Sequence, residues 1–181
     1  MSLRLITPPV ALAVSLDEAR VTARLDGTEA DVELIRVIGQ HTRDAEHETG
    51  RALVQQTYRL TLDEFPAAFV LEYPPILTVE HIKFYDAAGV RQTLHPDDYL
   101  VDNESEPGEI VPAPGRAWPA TQGRINAVEV QYSCGYGVDD STVPDEIKGY
   151  ILGKVAEHFA PAGTSKSEFL GGLLDRSRVY L

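Results

Sequence analysis

The spacing of apolar residues changes at Gly50, and this change constrains the fold more than any other feature of the chain. Before Gly50, apolar residues such as Leu34 and Ile38 recur every three or four positions, which is the period of an amphipathic helix. After it, Tyr58 and Leu60 alternate with polar residues, which is the period of a half-buried strand. The chain therefore combines helices and strands in separate segments, as is typical of the α+β class.

Two helices are predicted before the change of period. Ser15 and Glu18 have the spacing of a capping box, in which the two side chains satisfy free backbone amides at a helix start, so we predict a helix over residues 15–25. A longer helix is predicted over residues 29–49, because acidic residues in its first turn suit the positive end of the helix dipole. Gly50 suits the left-handed position that ends many helices.

Short strands are predicted across a β-rich region, residues 55–135, because segments of alternating polarity are separated by turns rich in Pro, Gly and Asp. The candidate strands are residues 58–62, 69–72, 79–85, 99–101, 109–111 and 126–132. Strands that follow one another so closely predict an antiparallel β-meander, inserted between the second and the third helix.

The helical period returns near the C-terminus. Pro144 and the acidic residues after it favour a helix start, and apolar residues four apart predict a third helix over residues 144–159. The tail, residues 164–181, keeps apolar side chains such as Leu174, which we expect to dock on this domain or on a neighbouring chain. The prediction is a single α+β domain over residues 1–181, a small helical bundle of three main helices with an inserted β-meander.

Charge and cysteine content argue against several classes of protein. The 16 Lys and Arg against 28 Asp and Glu give a net charge of -12, which argues against ordinary DNA binding. Residues 61–115 hold eleven of the acids but only Lys83 and Arg91, so one region carries most of the excess. No apolar run approaches the roughly 20 residues that cross a bilayer, no secretory signal is recognisable, and Cys134 is the only cysteine. We therefore expect a cytoplasmic protein without membrane contact or internal disulfide.

Two groups of residues are candidates for a chemical or binding role. His41, Asp44 and Glu48 share one face of the second helix and would serve a metal-dependent hydrolase, although their spacing equally suits ion pairs on a solvated surface. Trp118 would line the pocket of a small-ligand binding module, although a Trp beside Pro more often packs under a loop. No phosphate-binding glycine loop or nucleophile motif occurs. We therefore predict no enzyme activity, no catalytic or metal-binding residue and no cofactor.

Short phrases distributed along the chain follow one another in a recognisable order. They are Pro8-Pro-Val, Ser15-Leu-Asp-Glu-Ala, Leu25-Asp-Gly-Thr, Thr49-Gly-Arg-Ala-Leu-Val-Gln-Gln-Thr-Tyr, residues 71–75, residues 97–102, Pro107-Gly-Glu-Ile-Val-Pro, Trp118-Pro, Asn126-Ala-Val, Cys134-Gly-Tyr-Gly and Leu173-Leu-Asp-Arg-Ser-Arg. In order and spacing they resemble the head-tail connector, or adaptor, proteins of long-tailed phages and prophages. The resemblance runs through almost the whole chain, and Ser177 departs from it at a position where an aromatic residue is expected.

The resemblance implies a structural virion protein that forms a ring, expected to be a dodecamer, between the portal protein and the tail-completion protein. Passing DNA would be a further partner, without sequence-specific binding. The protein would be found in the host cytoplasm during assembly and then in the neck of the virion. Another neck or tail-completion protein on the same axis is the alternative within this class.

The predicted contact residues fall into two sets. The interface with neighbouring copies or with the portal is predicted to contain Arg43, His47, Arg51, Leu174, Arg176, Arg178 and Tyr180. The channel wall is predicted to contain Asp97, Asp98, Asp102, Glu104 and Glu106. A negative wall would let DNA slide because it repels phosphates, whereas a basic wall would hold them.

Overall fold

The computed structural model describes residues 1–179 and has an α+β fold with antiparallel sheets. The chain divides into two compact units. The β unit comprises Met1–Pro8 and Gln56–Gly135, and the helical unit comprises Pro9–Gln55 and residues 136–179. The α+β class predicted from the change of period is confirmed. Over the described residues, no helix is long and apolar enough to cross a membrane.

Three α-helices form the frame of the helical unit, namely α1 (Leu16–Ala23), α2 (Asp31–Thr49) and α3 (Asp145–Phe159). Each lies within one of the predicted helical segments. The predicted capping box is present, because the Ser15 hydroxyl accepts a hydrogen bond from the Glu18 amide and the Glu18 carboxylate accepts one from the Ser15 amide.

The start of α2 lies slightly beyond the predicted position, at Asp31 rather than at residue 29. Arg20 of α1 donates hydrogen bonds to both carboxylate oxygens of Asp31, at 2.8 and 2.7 Å. A bidentate pair of this kind fixes orientation as well as distance. It therefore joins the end of α1 to the first turn of α2. Gly50 ends α2 in the left-handed conformation, with φ of 69°, as the sequence predicts.

The core of the helical unit is formed by all three helices, the segments before α1 and after α2, and a C-terminal segment. Leu34 of α2 and Ile147 and Ile151 of α3 are completely buried. The C-terminal segment contains a 3-10 helix, Leu170–Ser177, which adds the buried side chain of Leu174 to the same core. Burial of each of these large apolar side chains stabilises the fold by about 1.5–3 kcal/mol.

The described part of the β unit contains eight strands. They are β1 (Ser2–Thr7), β2 (Gln56–Leu62), β3 (Phe69–Leu71), β4 (Ile76–Tyr85), β5 (Arg91–Thr93), β6 (Tyr99–Asp102), β7 (Gly108–Pro112) and β8 (Val128–Cys134). Five of them form one antiparallel sheet in the order β1-β2-β8-β4-β5, and three form a second antiparallel sheet in the order β3-β7-β6.

The predicted meander arrangement is not confirmed, because the strands of the larger sheet do not pair in chain order. Its central strand is β8, which pairs with β2 on one side and with β4 on the other. Val128, Val130 and Tyr132 of this strand are all buried. The sequence predictions missed β1 and β5. Both are edge strands of the larger sheet, and β5 is only three residues long.

Candidate assembly surfaces

The residues predicted to form an interface differ in their exposure within the helical unit. Leu174 is only 1% exposed, and Arg51 only 9%. Neither offers a free surface, since both are buried within the folded chain. Arg178 is half-buried, and Tyr180 lies outside the described residues. The remaining three members of the set, Arg43, His47 and Arg176, are exposed.

The buried members hold the C-terminal segment on the end of α2. Nε of Arg51 donates a hydrogen bond to the Ser177 carbonyl at 2.6 Å. Nη2 of Arg178 donates to the Glu48 carboxylate at 3.1 Å, and the Val179 amide donates to the carbonyl of Thr49 at 2.8 Å. The predicted docking of the tail is thus observed up to residue 179, on its own helical unit.

Ser177 takes part in this contact through its backbone. The residue is 6% exposed, and its carbonyl faces the Arg51 guanidinium. The guanidinium carbon in turn lies 6.0 Å from the ring centroid of Tyr136. The aromatic ring near Arg51 therefore belongs to Tyr136 and not to position 177, where the resemblance led us to expect one.

The exposed members of the predicted interface are two guanidinium groups and one imidazole. Across residues 1–179, Arg43, His47 and Arg176 form no ion pair. Exposed Arg side chains are frequent in protein interfaces. These three residues are the solvent-exposed part of the predicted set.

The acidic residues predicted to line a channel form two separate groups in the β unit. Asp102, Glu104 and Glu106 lie at the tip of the hairpin made by β6 and β7, and all three are exposed. Asp97 and Asp98 precede β6 and therefore lie at the other end of that strand. The sequence places the five residues in one stretch, but the structure divides them.

Asp102 has a local structural role at the hairpin tip. Its carboxylate accepts hydrogen bonds from the Ser105 hydroxyl at 2.7 Å, from the Ser105 amide at 3.0 Å and from the Glu104 amide at 3.0 Å. The hydrogen bond from the Ser105 hydroxyl, followed by the one from the Ser105 amide, lowers the pKa of Asp102. The charge is therefore retained, and it holds the turn in shape.

Sequence reasoning missed a basic cavity on the larger sheet of the β unit. The cavity measures about 390 Å³, and its basic lining residues are Arg4, Arg59, Lys83, Arg91 and Arg124. The strand register brings them together, since Arg4 pairs with Arg59 across β1 and β2, and Lys83 of β4 lies opposite Glu129 of β8, which also lines the cavity. Alternating polarity along single strands was visible in the sequence, but the order of the strands was not.

A single carboxylate, that of Glu129, faces this basic group. It accepts hydrogen bonds from Arg91 at 2.9 Å and contacts His81 at 3.1 Å, and Arg59 lies 3.6 Å away. Burial opposes its ionisation, but the hydrogen bond to His81 and the charges of Arg59 and Arg91 lower the pKa of Glu129 overall. Glu129 is therefore ionised and offsets one of the positive charges.

Three solved structures share this fold over the whole length of the chain. They are the neck of an empty gene transfer agent (GTA) particle computed with C6 symmetry (TM-score 0.82, 21% identity), the virion of a native GTA particle (0.80, 23%) and the neck of a native GTA particle computed with C12 symmetry (0.72, 22%). Each match covers 100% of this chain and 97% of the matched chain. This chain has the fold of a GTA neck protein. No protein-family model matches the sequence, and no curated protein matches it significantly.

In this neck-protein fold the hydrolase candidates do not form a metal site. Nδ1 of His41 lies 2.9 Å from the Asp44 carboxylate, but Glu48 binds Arg178 instead. No group of three or more His, Cys, Asp or Glu that could hold a metal ion occurs among the residues that the structure describes. The alternative of a metal-dependent hydrolase therefore has no supporting site in this part of the chain.

The ligand-binding alternative depended on Trp118, and its ring is occupied by packing within the β unit. It stacks on Phe65 with ring centroids 5.0 Å apart and meets Phe69 edge-on at 5.2 Å. Phe65 in turn contacts Phe84 at 5.5 Å. Aromatic groups in such contacts stabilise a core beyond their buried area alone. The ring of Trp118 is thus a packing element of the β unit.

Proposed function

We propose that this chain is a structural, non-enzymatic subunit of the neck of a tailed phage or a related particle. It forms a ring that adapts the portal protein to the tail and leaves a passage for DNA. The observation that carries the proposal is the match over the whole chain to structures from the GTA neck. Those structures were computed with C6 and C12 symmetry, which supports a ring of identical subunits.

In the proposed ring, residues 1–181 act as one connector domain, with the β-rich segment inserted between the second and third helices along the chain. Closing a ring requires a heterologous interface, in which one patch of a subunit meets a different patch of the next. Arg43, His47 and Arg176 are exposed and suit a contact with the portal or with another copy. The buried Arg51 and Leu174 act indirectly, because they hold the C-terminal segment in place.

The proposal assigns no catalytic residue and no cofactor. Asp97 and Asp98 are proposed to face the passage, where their negative charge would repel phosphates and keep DNA mobile. The hairpin-tip acids Asp102, Glu104 and Glu106 are proposed for the same wall, unless they take part in a contact between subunits. Duplex DNA is therefore expected to pass without stable, sequence-specific binding.

The experiment is co-assembly of the purified chain with the portal protein of the same phage or prophage. Sedimentation and negative-stain imaging are expected to show a ring of this chain stacked on the portal. Arg43→Glu with Arg176→Glu should weaken that association, whereas the exposed pair Arg24→Glu and Lys166→Glu, which makes the same change in net charge, should not. Binding to a tail-completion protein but not to the portal would favour the alternative position in the neck. A chain that stays monomeric and binds neither protein would contradict the proposal.

A further inference from the structure

The basic cavity on the larger sheet has a charge opposite to that of the chain as a whole. Five of the 16 Lys and Arg line it, while Glu129 alone among the 28 acids does so within the described residues. The cavity thus has an excess of four positive charges on a chain of net charge -12. Because the chain as a whole is acidic, its composition does not account for this local concentration of positive charge.

Folding does not explain this concentration either. Arg4 and Arg59 lie directly opposite each other on adjacent strands, and like charges in this position destabilise a sheet. Within residues 1–179, Arg4 and Lys83 have no ion-pair partner, and Arg124 packs over the Tyr85 ring at 4.0 Å. The arrangement costs the folded chain some stability. An anionic partner would offset that cost.

The same unit carries an acidic surface with a matching number of charges. Asp102, Glu104, Glu106 and Glu109 lie on the hairpin of β6 and β7, at its tip or beside it, and all four are exposed. Glu104 and Glu109 form no ion pair in the part of the chain that the structure covers. Four carboxylates on a narrow hairpin therefore match the four excess positive charges of the cavity.

The hairpin cannot reach the cavity of its own chain. Its tip lies beside the beginning of β4, because a Cβ added to Gly108, the first residue after the turn, would lie 2.9 Å from Cγ1 of Ile76. Lys83 stands seven residues further along the same strand. At roughly 3.3 Å per residue the separation is about 23 Å. Charges so far apart interact little at physiological salt, where the Debye length is about 8 Å.

We propose that the basic cavity of one subunit binds the β6–β7 hairpin of the next copy of this chain. The inference rests on the proposed function, because it supplies the interface of the proposed ring. The two patches are different and lie at opposite ends of β4, as a heterologous interface requires. Asp102, Glu104 and Glu106 then form a contact between subunits, and Asp97 and Asp98 alone remain for the channel wall.

Two double variants with opposite changes of charge test the contact. The cavity variant carries Arg4→Glu and Arg124→Glu, and the hairpin variant carries Glu104→Lys and Glu109→Lys. All four side chains are exposed, so both variants should fold, which circular dichroism and thermal melting check. Each variant alone is expected to weaken ring formation by at least about tenfold, because the substitutions cancel the four excess charges of the patch that carries them and place charges of like sign in the contact.

An equimolar mixture of the two variants is expected to restore assembly. The Glu residues introduced into the cavity of one variant then meet the Lys residues introduced into the hairpin of the other, while the unchanged hairpin of the first meets the unchanged cavity of the second. The ring must alternate, so native mass spectrometry should find equal numbers of the two chains. Arg24→Glu with Lys166→Glu is the matched control, since it makes the same change in net charge on exposed positions of the helical unit.

The outcomes separate this inference from the proposed function. If the wild-type chain forms a ring on the portal and both folded variants do so equally well, or if the mixture fails to assemble, the contact is refuted and the function stands. If the wild type forms no ring and binds no portal, both are refuted. Loss of assembly in the control variant would attribute the effect to net charge and overturn the contact. A cavity variant that assembles normally but loses binding of a 30-base-pair duplex would identify the cavity as a DNA surface instead.

Discussion

Replacing Arg4 by Glu is expected to stabilise the folded chain, although charge reversals on protein surfaces usually have little effect. Arg4 of β1 lies directly opposite Arg59 of β2, so two residues of like charge form a cross-strand pair. A favourable cross-strand pair contributes about 0.2–1 kcal/mol, and an unfavourable one costs a similar amount. Arg59 is 38% exposed on its side chain, which places the pair near the weak end of this range. Removing the repulsion and adding an attraction should therefore raise the free energy of unfolding by about 0.5–1 kcal/mol.

Urea denaturation followed by circular dichroism, at low salt and at 1 M salt, measures this change. In thermal denaturation, the same change should raise the Tm of a chain of this size by about 1–4 °C. Arg4→Gln is the matched control, because it removes the repulsion without adding an attraction and should give about half of the gain. An equal or lower stability of Arg4→Glu at low salt would refute the reasoning, as would a gain that persists unchanged at high salt. The stabilised variant should nevertheless assemble less well, which separates folding from assembly.

Three further predictions concern the helical unit. Arg51→Met removes the hydrogen bond to the Ser177 carbonyl and should lower the free energy of unfolding by about 1.5–3 kcal/mol. Proteolysis of the C-terminal segment should become faster, and an unchanged rate of proteolysis would contradict this prediction. Leu174→Ala should cost about 2–5 kcal/mol in urea denaturation because the side chain is buried in the core; a cost below about 1 kcal/mol would show that the segment does not stabilise the core. The Arg36 hydrogen bond lowers the pKa of Glu33 from 4.5 to about 2. The ion pair therefore stabilises the fold fully above pH 4.5, and this stabilisation is lost as the pH falls to about 2. NMR titration should show a higher pKa of Glu33 in Arg36→Gln.

The helices were predictable because their signals are local. The capping box of Ser15 and Glu18 and the left-handed Gly50 act within a few residues, and both are present in the structure. Spacing of apolar residues then identified the faces that are buried, as for Ile147 and Ile151. Propensity, capping and burial agree in these segments, so no tertiary contact overrides the local preference.

Strand order was not predictable because it depends on contacts between distant parts of the chain. β8 pairs with both β2 and β4, although long segments separate it from each of them in the sequence. Alternating polarity fixes which side chains share a face of a strand, but it does not identify the neighbouring strand. For that reason Arg4, Arg59 and Arg124 could not be recognised as lining one cavity.

Exposure of the predicted interface residues was a third matter that the sequence left open. Arg51 and Arg178 are charged, and charged groups are normally expected at the surface. Here the C-terminal segment folds back on α2, so that Arg51 binds the Ser177 carbonyl of the segment and Arg178 of the segment binds Glu48 of α2. Charge alone therefore did not separate residues that hold the tail from residues such as Arg43 that face outward.

The distribution of charge bears on how such a ring could form at all. Subunits with a net charge of -12 repel one another, and the repulsion acts in every relative orientation. Only an orientation that brings a basic patch against an acidic one offsets it at short range. The cavity around Arg59 and the hairpin around Glu104 provide one such pair in each subunit. Complementary charges of this kind fix orientation more than they add affinity, and the acidic remainder of the surface disfavours other arrangements. The net charge and the basic cavity would together select a single head-to-tail contact.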